Sequence, residues 1–290
     1  MIILNTFNWK LQDVISNMQK IKDQGFDAIQ ISPICECKPG NEWWKLYQPL
    51  SFKVGNRLGD SYDFEKLCVE AHLKGLRVFV DVVLRHVAST DDGRPAPHEL
   101  CSKSLASFWV DNRSCDPNNR QDIINGGWGL PRLDYNNKNL QDLYYKPFLD
   151  YVTEHADGIR LDMGKHFALP EEGGTFWDNV IKHYKERGKF IYAECINTPT
   201  HILNAYTRYC STLTDQYAKM GVGSVRFFES HDTYYHDWSN TDKMDDAQRL
   251  WSLRRLCLEH HNVMFFARPF DNLVFSESLR EIISMEDNLA

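Results

Sequence analysis

The 290-residue chain carries a formal net charge of -7, with 42% hydrophobic and 25% charged residues. That balance is ordinary for a globular protein and excludes a disordered class, and without a clustered basic patch it gives no footprint for nucleic acid or an anionic membrane surface. No apolar run approaches the ~20 residues a transmembrane helix needs, while 13% aromatic residues supply flat rings suited to the apolar faces of sugars.

In chain order, short β-rich runs alternate with amphipathic ones. The candidate strands are Ile2–Phe7, Ala28–Ile31, Arg77–Val83, Gly158–Leu161, Phe190–Ala193, Leu213–Asp215, Val225–Phe228 and Val263–Ala267. Apolar residues at helical spacing predict helices over Leu11–Lys22, Phe64–Lys74, Leu140–His155, Thr175–Arg187, Thr200–Cys210 and Asp245–His260. Such alternation predicts an α/β fold, a TIM (β/α)8 barrel. The barrel is expected to comprise residues 1–87 and 135–290, with a short, loop-rich insert at 88–134 after the third strand. A second long loop, residues 32–62, contains Trp43 and Trp44, and long insertions after barrel strands lie on the catalytic face. Only Gln216–Ser224 separate the sixth and seventh candidate strands, about half of what a crossover helix needs. Either a full sixth outer helix is missing or the sixth strand is misplaced. In the first case another segment or a neighbouring subunit has to cover the strands.

Eight cysteines are scattered without a CxxC pair, and the apolar run after Met1 has no basic flank, so free thiols and a cytoplasmic location are expected.

Acidic and basic residues gather where candidate strands end, in four segments: Asp81 to His86, Gly158 to His166, Tyr192 to Glu194 and Phe227 to Asp232. Polar groups at the ends of different barrel strands converge on one pocket. Side chains alternate along a strand, so Arg160 and Asp162 point the same way. An Arg beside a carboxylate favours its ionised form, which suits Asp162 to nucleophilic attack. Glu194 follows an apolar strand, where desolvation would keep a carboxyl protonated for donation to a leaving oxygen. Two carboxylates in contrasting environments are the basic requirement of glycoside hydrolysis.

These four segments, in this order, resemble the four sequence regions of glycoside hydrolase family 13, the α-amylase family. Gln30 to Pro33, Trp43 to Pro49 and Arg57 to Gly59 are similar to its second-strand and loop pattern. The resemblance implies Asp162 as nucleophile, Glu194 as acid/base and Asp232 as transition-state stabiliser. It implies that His86 and His231 bond the hydroxyls of the cleaved sugar, that Tyr47 stacks on it, with Gln48 beside it, and that Arg160 holds Asp162. Lys165 and His166 look like a pair lining leaving-group subsites, and Trp44, Tyr235 and Trp238 are candidates for stacking on neighbouring glucose units.

The implied activity is retaining hydrolysis of α-1,4-glucans or maltooligosaccharides. The alternatives are transglycosylation, α-glucosidase action on short sugars, or an inactive glucan-binding protein. Arg85 stands where the family usually has a calcium-binding Asn, Arg132 where many members have a calcium-binding Asp, and Ser230 where an Asn helps to bind chloride. Calcium and chloride are therefore both expected to be absent, with the two arginines tying the insert to the barrel instead. The tail leaves no room for the family's usual C-terminal β-sandwich. Oligomeric state is not legible.

Overall fold

The computed structural model describes residues 1–90, 109–110, 115–126, 129–218, 224–235 and 243–287. Eight parallel strands close into a barrel in sequential order: β1 Ile2–Thr6, β2 Ala28–Ile31, β3 Arg77–Val82, β4 Gly158–Leu161, β5 Phe190–Glu194, β6 Ser211–Asp215, β7 Val225–Phe227 and β8 Asn262–Phe266. Each expected strand is found at its place, with no end moved by more than two residues. The sixth is real, pairing with β5 and β7 on either side.

Alternation along the strands divides the core. Ile3, Ala28, Phe79, Tyr192, Leu213, Val225, Phe227 and Met264 fill the barrel interior. Their neighbours, among them Leu4, Ile29, Val80, Ile159 and Phe265, pack outward under the helices. Burying each such side chain contributes ~1.5–3 kcal/mol, so a one-residue slip of any strand would exchange two apolar sets at once. Gly158 is required where β4 meets β5, since a Cβ there would lie 1.8 Å from the Phe190 carbonyl oxygen.

Outer helices are α1 Leu11–Asp23, α2 Ser61–Leu73, α4 Lys146–His155, α5 Lys182–Glu186, α6 Thr200–Tyr206, α8 Asp246–Glu259 and α9 Glu277–Asp287. Helix α3, Arg120–Asn125, lies in the insert, and α7, His231–Tyr235, follows β7. In α1 the buried Leu11, Val14, Met18 and Ile21 form one stripe. Helix α2 starts at a capping box in which Asp60 accepts from the Asp63 amide. No described helix is long and apolar enough to cross a membrane.

Three departures from expectation have local causes. The predicted helix over Leu140–His155 contains a widened π turn at Gln141–Tyr145, next to Pro147, which lacks the amide that a regular turn would use. Thr175–Arg187 holds a second π turn at Trp177–Ile181. The two are tied by Gln141, which donates to Thr175 Oγ1 at 3.0 Å and accepts from Asn179 at 3.1 Å. The loop of residues 32–62 carries strands Cys35–Cys37 and Pro49–Asn56 paired antiparallel.

Between β6 and β7 the described residues, 216–218 and 224, contain no helix, and the rest of the connection on which the expected loss of the sixth helix turns, 219–223, lies outside the described residues. Arg226 on β7 points outward there, fully buried, and donates to the carbonyl oxygens of Asp215 and Ala218 at 3.1 and 2.8 Å. Part of the space against the strands is thus filled by a side chain of β7 itself.

Candidate active site

Strand register sets Asp81 of β3, Arg160 of β4 and Tyr192 of β5 level with one another. All three point into the barrel mouth. Arg160 Nη1 donates to Asp81 Oδ1 and to Asp162 Oδ1, both at 2.8 Å, and Nη2 donates to Glu194 Oε1. One buried guanidinium therefore holds three carboxylates. The second oxygen of Asp81 accepts from the Tyr47 hydroxyl at 2.7 Å. The second oxygen of Glu194 accepts from the Met163 amide at 3.0 Å. That amide is aimed by a left-handed Met163, φ 51°, and the turn is followed by Gly164, where a Cβ would lie 2.5 Å from the Ala193 Cβ. Strain of this kind persists when the surrounding structure imposes it.

Sequence reasoning assigned Arg160 to Asp162 alone and so made that carboxyl the readily ionised one. The structure corrects this. Burial pushes the Asp162 carboxyl well above the usual range against the pull of Arg160, and the charges of Glu194 and Asp81 add to the rise. Burial raises Asp81 as well. Arg160 itself is opposed by burial but held firmly charged by Asp81, Glu194 and Asp162. One positive charge against three carboxylates favours retention of a proton within the cluster. Asp81 was quoted in its motif without a role. Its signal was a carboxylate in an otherwise apolar stretch of the strand, two residues from the inward Phe79.

The Tyr47 ring stacks on His231 at 5.0 Å, and His231 stacks on Phe7 at 4.5 Å. Trp43 closes the cluster, stacked on Tyr235 at 5.3 Å and edge-on to His231 at 5.4 Å. Phe7 and Trp43 were missed by sequence reasoning, whereas the expected Trp44 lies outside this cluster, 39% exposed between Lys38 and Lys45. Asp232 is the second residue of α7, with its side chain about one-third exposed and its carboxylate 3.7 Å from His231 Nε2. His86 is buried with Nε2 2.7 Å from the Tyr47 carbonyl oxygen, and burial lowers its pKa to about 4. Gln48, also buried, accepts from the Ser89 amide at 3.3 Å. Lys165 donates to Ile196 O at 2.7 Å, beyond the end of β5. His166 turns toward the insert, Nδ1 2.7 Å from Ile123 O, with burial and the nearby Lys165 and Arg85 lowering its pKa to about 3. Trp238 lies outside the described residues.

Residues 8–262 match the family model described as the α-amylase catalytic domain. The chain belongs to the α-amylase family. Its relatives there include an α-amylase of Clostridium acetobutylicum, 28% identical over 94% of this chain, and one of Aeromonas hydrophila, 39% identical over 78% of it. The chain spans 40% and 54% of those two proteins. A solved α-amylase of Geobacillus thermoleovorans, complexed with acarbose, superposes with a TM-score of 0.77 at 18% identity, over 99% of this chain and 78% of that one.

Where the family resemblance implies a calcium ligand, this α-amylase relative has Arg85, 1% exposed. Its Nε donates to His166 O at 3.2 Å, Nη1 to Leu133 O at 3.3 Å, and Nη2 to Ile124 O at 2.8 Å and Gly126 O at 3.4 Å. The guanidinium lies 4.9 Å from the Tyr135 ring centre. Arg132 is buried too, and its backbone bridges to His86. A hard cation needs several oxygens free to face it. Here four carbonyl oxygens already face a cation carried on a side chain, so the residues present do not fit a calcium ion at that position. Ser230 instead caps α7, its oxygen accepting from the Thr233 amide at 3.5 Å.

Proposed function

We propose that this chain is the catalytic unit of a retaining glycoside hydrolase that cleaves α-1,4-glucosidic bonds of starch, glycogen or maltooligosaccharides. The observation that carries the reading is the attachment of Asp162 and Glu194 to the two terminal nitrogens of Arg160. The nucleophile and the acid/base are thereby fixed relative to each other before substrate arrives. Such preorganisation is worth several powers of ten in rate.

In this mechanism Glu194 gives a proton to the glycosidic oxygen while Asp162 attacks the anomeric carbon, forming a glycosyl ester. Substrate binding excludes water, and Arg160 stabilises whichever carboxylate is charged at each step. Glu194, now ionised, takes a proton from water, which attacks the same carbon and restores Asp162. Asp232 and His231 hold the hydroxyls of the distorted sugar, and the ring cluster around Tyr47 provides the face on which it stacks.

We also propose that the enzyme needs neither calcium nor chloride, on the strength of the Arg85 contacts and of Ser230. The described cysteines are all free thiols, which supports a cytoplasmic setting.

The test is release of reducing sugar from soluble starch, maltoheptaose, maltose and isomaltooligosaccharides. Activity on the first two that falls by roughly 10²–10⁴ in Glu194→Gln supports the reading. Activity confined to maltose, or unchanged in Glu194→Gln, overturns it.

A further inference from the structure

Behind the segment that carries His231 and Asp232 lies a buried box of two cations and two anions. Glu229 follows β7, Arg249 projects from α8, and Arg268 and Asp271 come just after β8. Arg268 forks onto Glu229, Nε to Oε2 at 2.8 Å and Nη2 to Oε1 at 2.6 Å, and also donates to Met244 O at 2.6 Å. Arg249 forks onto Asp271 at 3.0 and 2.6 Å and donates to Phe266 O at 2.9 Å. Asp271 in turn accepts from the Arg268 amide at 2.9 Å. Within the box the charges cancel, with the exposed Asp246 adding a further contact to Arg249 Nη1 at 3.3 Å, and the paired geometry meets most of the hydrogen-bonding demand, as burial of ions requires.

The same Arg268 guanidinium lies 5.2 Å from the Tyr234 ring centre. Arg268 thus touches the chain on both sides of the pair that matters, at Glu229 before it and at Tyr234 after it. Helix α7 spans His231–Tyr235, too short to fix its own orientation without outside contacts. Its internal bonds, from Tyr234 N to Ser230 O at 2.9 Å and between Ser230 and Thr233, close the turn without aiming it.

We propose that Arg268 is a positioning residue, whose fork onto Glu229 and contact with Tyr234 set the direction in which Asp232 faces the sugar, while His231 is held by its stacking on Phe7 and Tyr47. The inference rests on the hydrolase reading above for its catalytic consequence, and on the geometry alone for the ordering of residues 229–235. Arg249 and Asp271 hold Arg268 by its own amide, so the aim of the segment is referred to β8 and α8. Lysine offers one point charge in place of a planar fork, so Arg268→Lys should keep the net charge and only part of the aim.

The experiment compares wild type, Arg268→Lys, Arg268→Met and the double variant Glu229→Gln/Arg268→Met, which leaves no buried ion of that pair alone. Amide hydrogen exchange over residues 229–235 is measured with kcat and KM on maltoheptaose. In Arg268→Met and the double variant, exchange there should rise about tenfold or more, with the barrel strands protected as before. Their kcat should fall about tenfold or more with KM changed less than about threefold, because Asp232 acts chiefly in the transition state. Arg268→Lys should lie between them and wild type. Exchange and kcat within about twofold of wild type in the double variant would overturn the proposal. Should wild type fail to cleave maltoheptaose, the hydrolase reading falls while the exchange measurement still decides the clamp.

Discussion

Arg160 decides the chemistry of the barrel mouth because, among the described residues, it is the cation paired with all three of Asp81, Asp162 and Glu194. Its loss would leave three buried carboxylates against no cation, which is far costlier than the loss of one hydrogen bond. The histidines nearby obey a different rule. Burial lowers His166 to about 3 and His86 to about 4 from an ordinary 6.5, so both are neutral in the folded protein. Between those values and 6.5 the unfolded chain binds more protons than the folded one, and their contribution to stability therefore falls as pH drops through that window. Burial raises Asp81 and Asp162 and acts in the opposite sense, so the test must be a difference. The melting temperature of His166→Gln should gain on wild type steadily below about pH 6.5 and run parallel to it above. A constant offset from pH 7 to pH 4 would show that His166 takes up its proton in the folded state. At this scale the sequence revealed which residues are polar at strand ends. It did not reveal that Arg160 is shared, or that Trp43 rather than Trp44 joins the ring cluster, because both depend on register and on loop path.

Elements bring these residues together, and the insert shows how. Arg85 sits immediately beyond β3, yet its donors reach Ile124 and Gly126 at the end of α3, Leu133 further along, and His166 after β4. A charge-assisted hydrogen bond contributes ~1.5–3 kcal/mol, so even partial loss of this set should loosen the insert. Arg85→Asn should melt below wild type and lose activity, while chelator changes neither property of the wild type. Added calcium should raise the melting temperature of Arg85→Asn alone, since the variant frees four carbonyl oxygens and adds an amide oxygen. A wild-type melting temperature that falls in chelator would contradict this account. The substitution was legible from its position in the family pattern, and so was the idea of a tether. The carbonyls it would grip were not legible, because they are main-chain atoms without any residue signature. Periodicity likewise found the helices over Leu140–His155 and Thr175–Arg187 but not their π turns, whose extra residue hardly changes the apolar pattern.

For the whole molecule, the barrel was readable because each strand repeats one pattern and each repeat has a helix to cover it. The same counting marked residues 216–224 as about half of what a crossover helix needs. It could not say that Arg226, fully buried, fills part of the space against β6 and β7. A closed barrel directs all of its strand ends to one mouth, which is why residues as distant in sequence as Asp81 and Glu194 share one guanidinium. The central claim is that this mouth performs double displacement through Asp162, so that the product keeps the substrate's anomeric configuration. Proton NMR during the first minutes of maltoheptaose cleavage, before mutarotation equilibrates the anomers, tests it directly. The account predicts that the new reducing ends appear as the α-anomer, and that Asp162→Asn forms almost none; initial release of the β-anomer would contradict it.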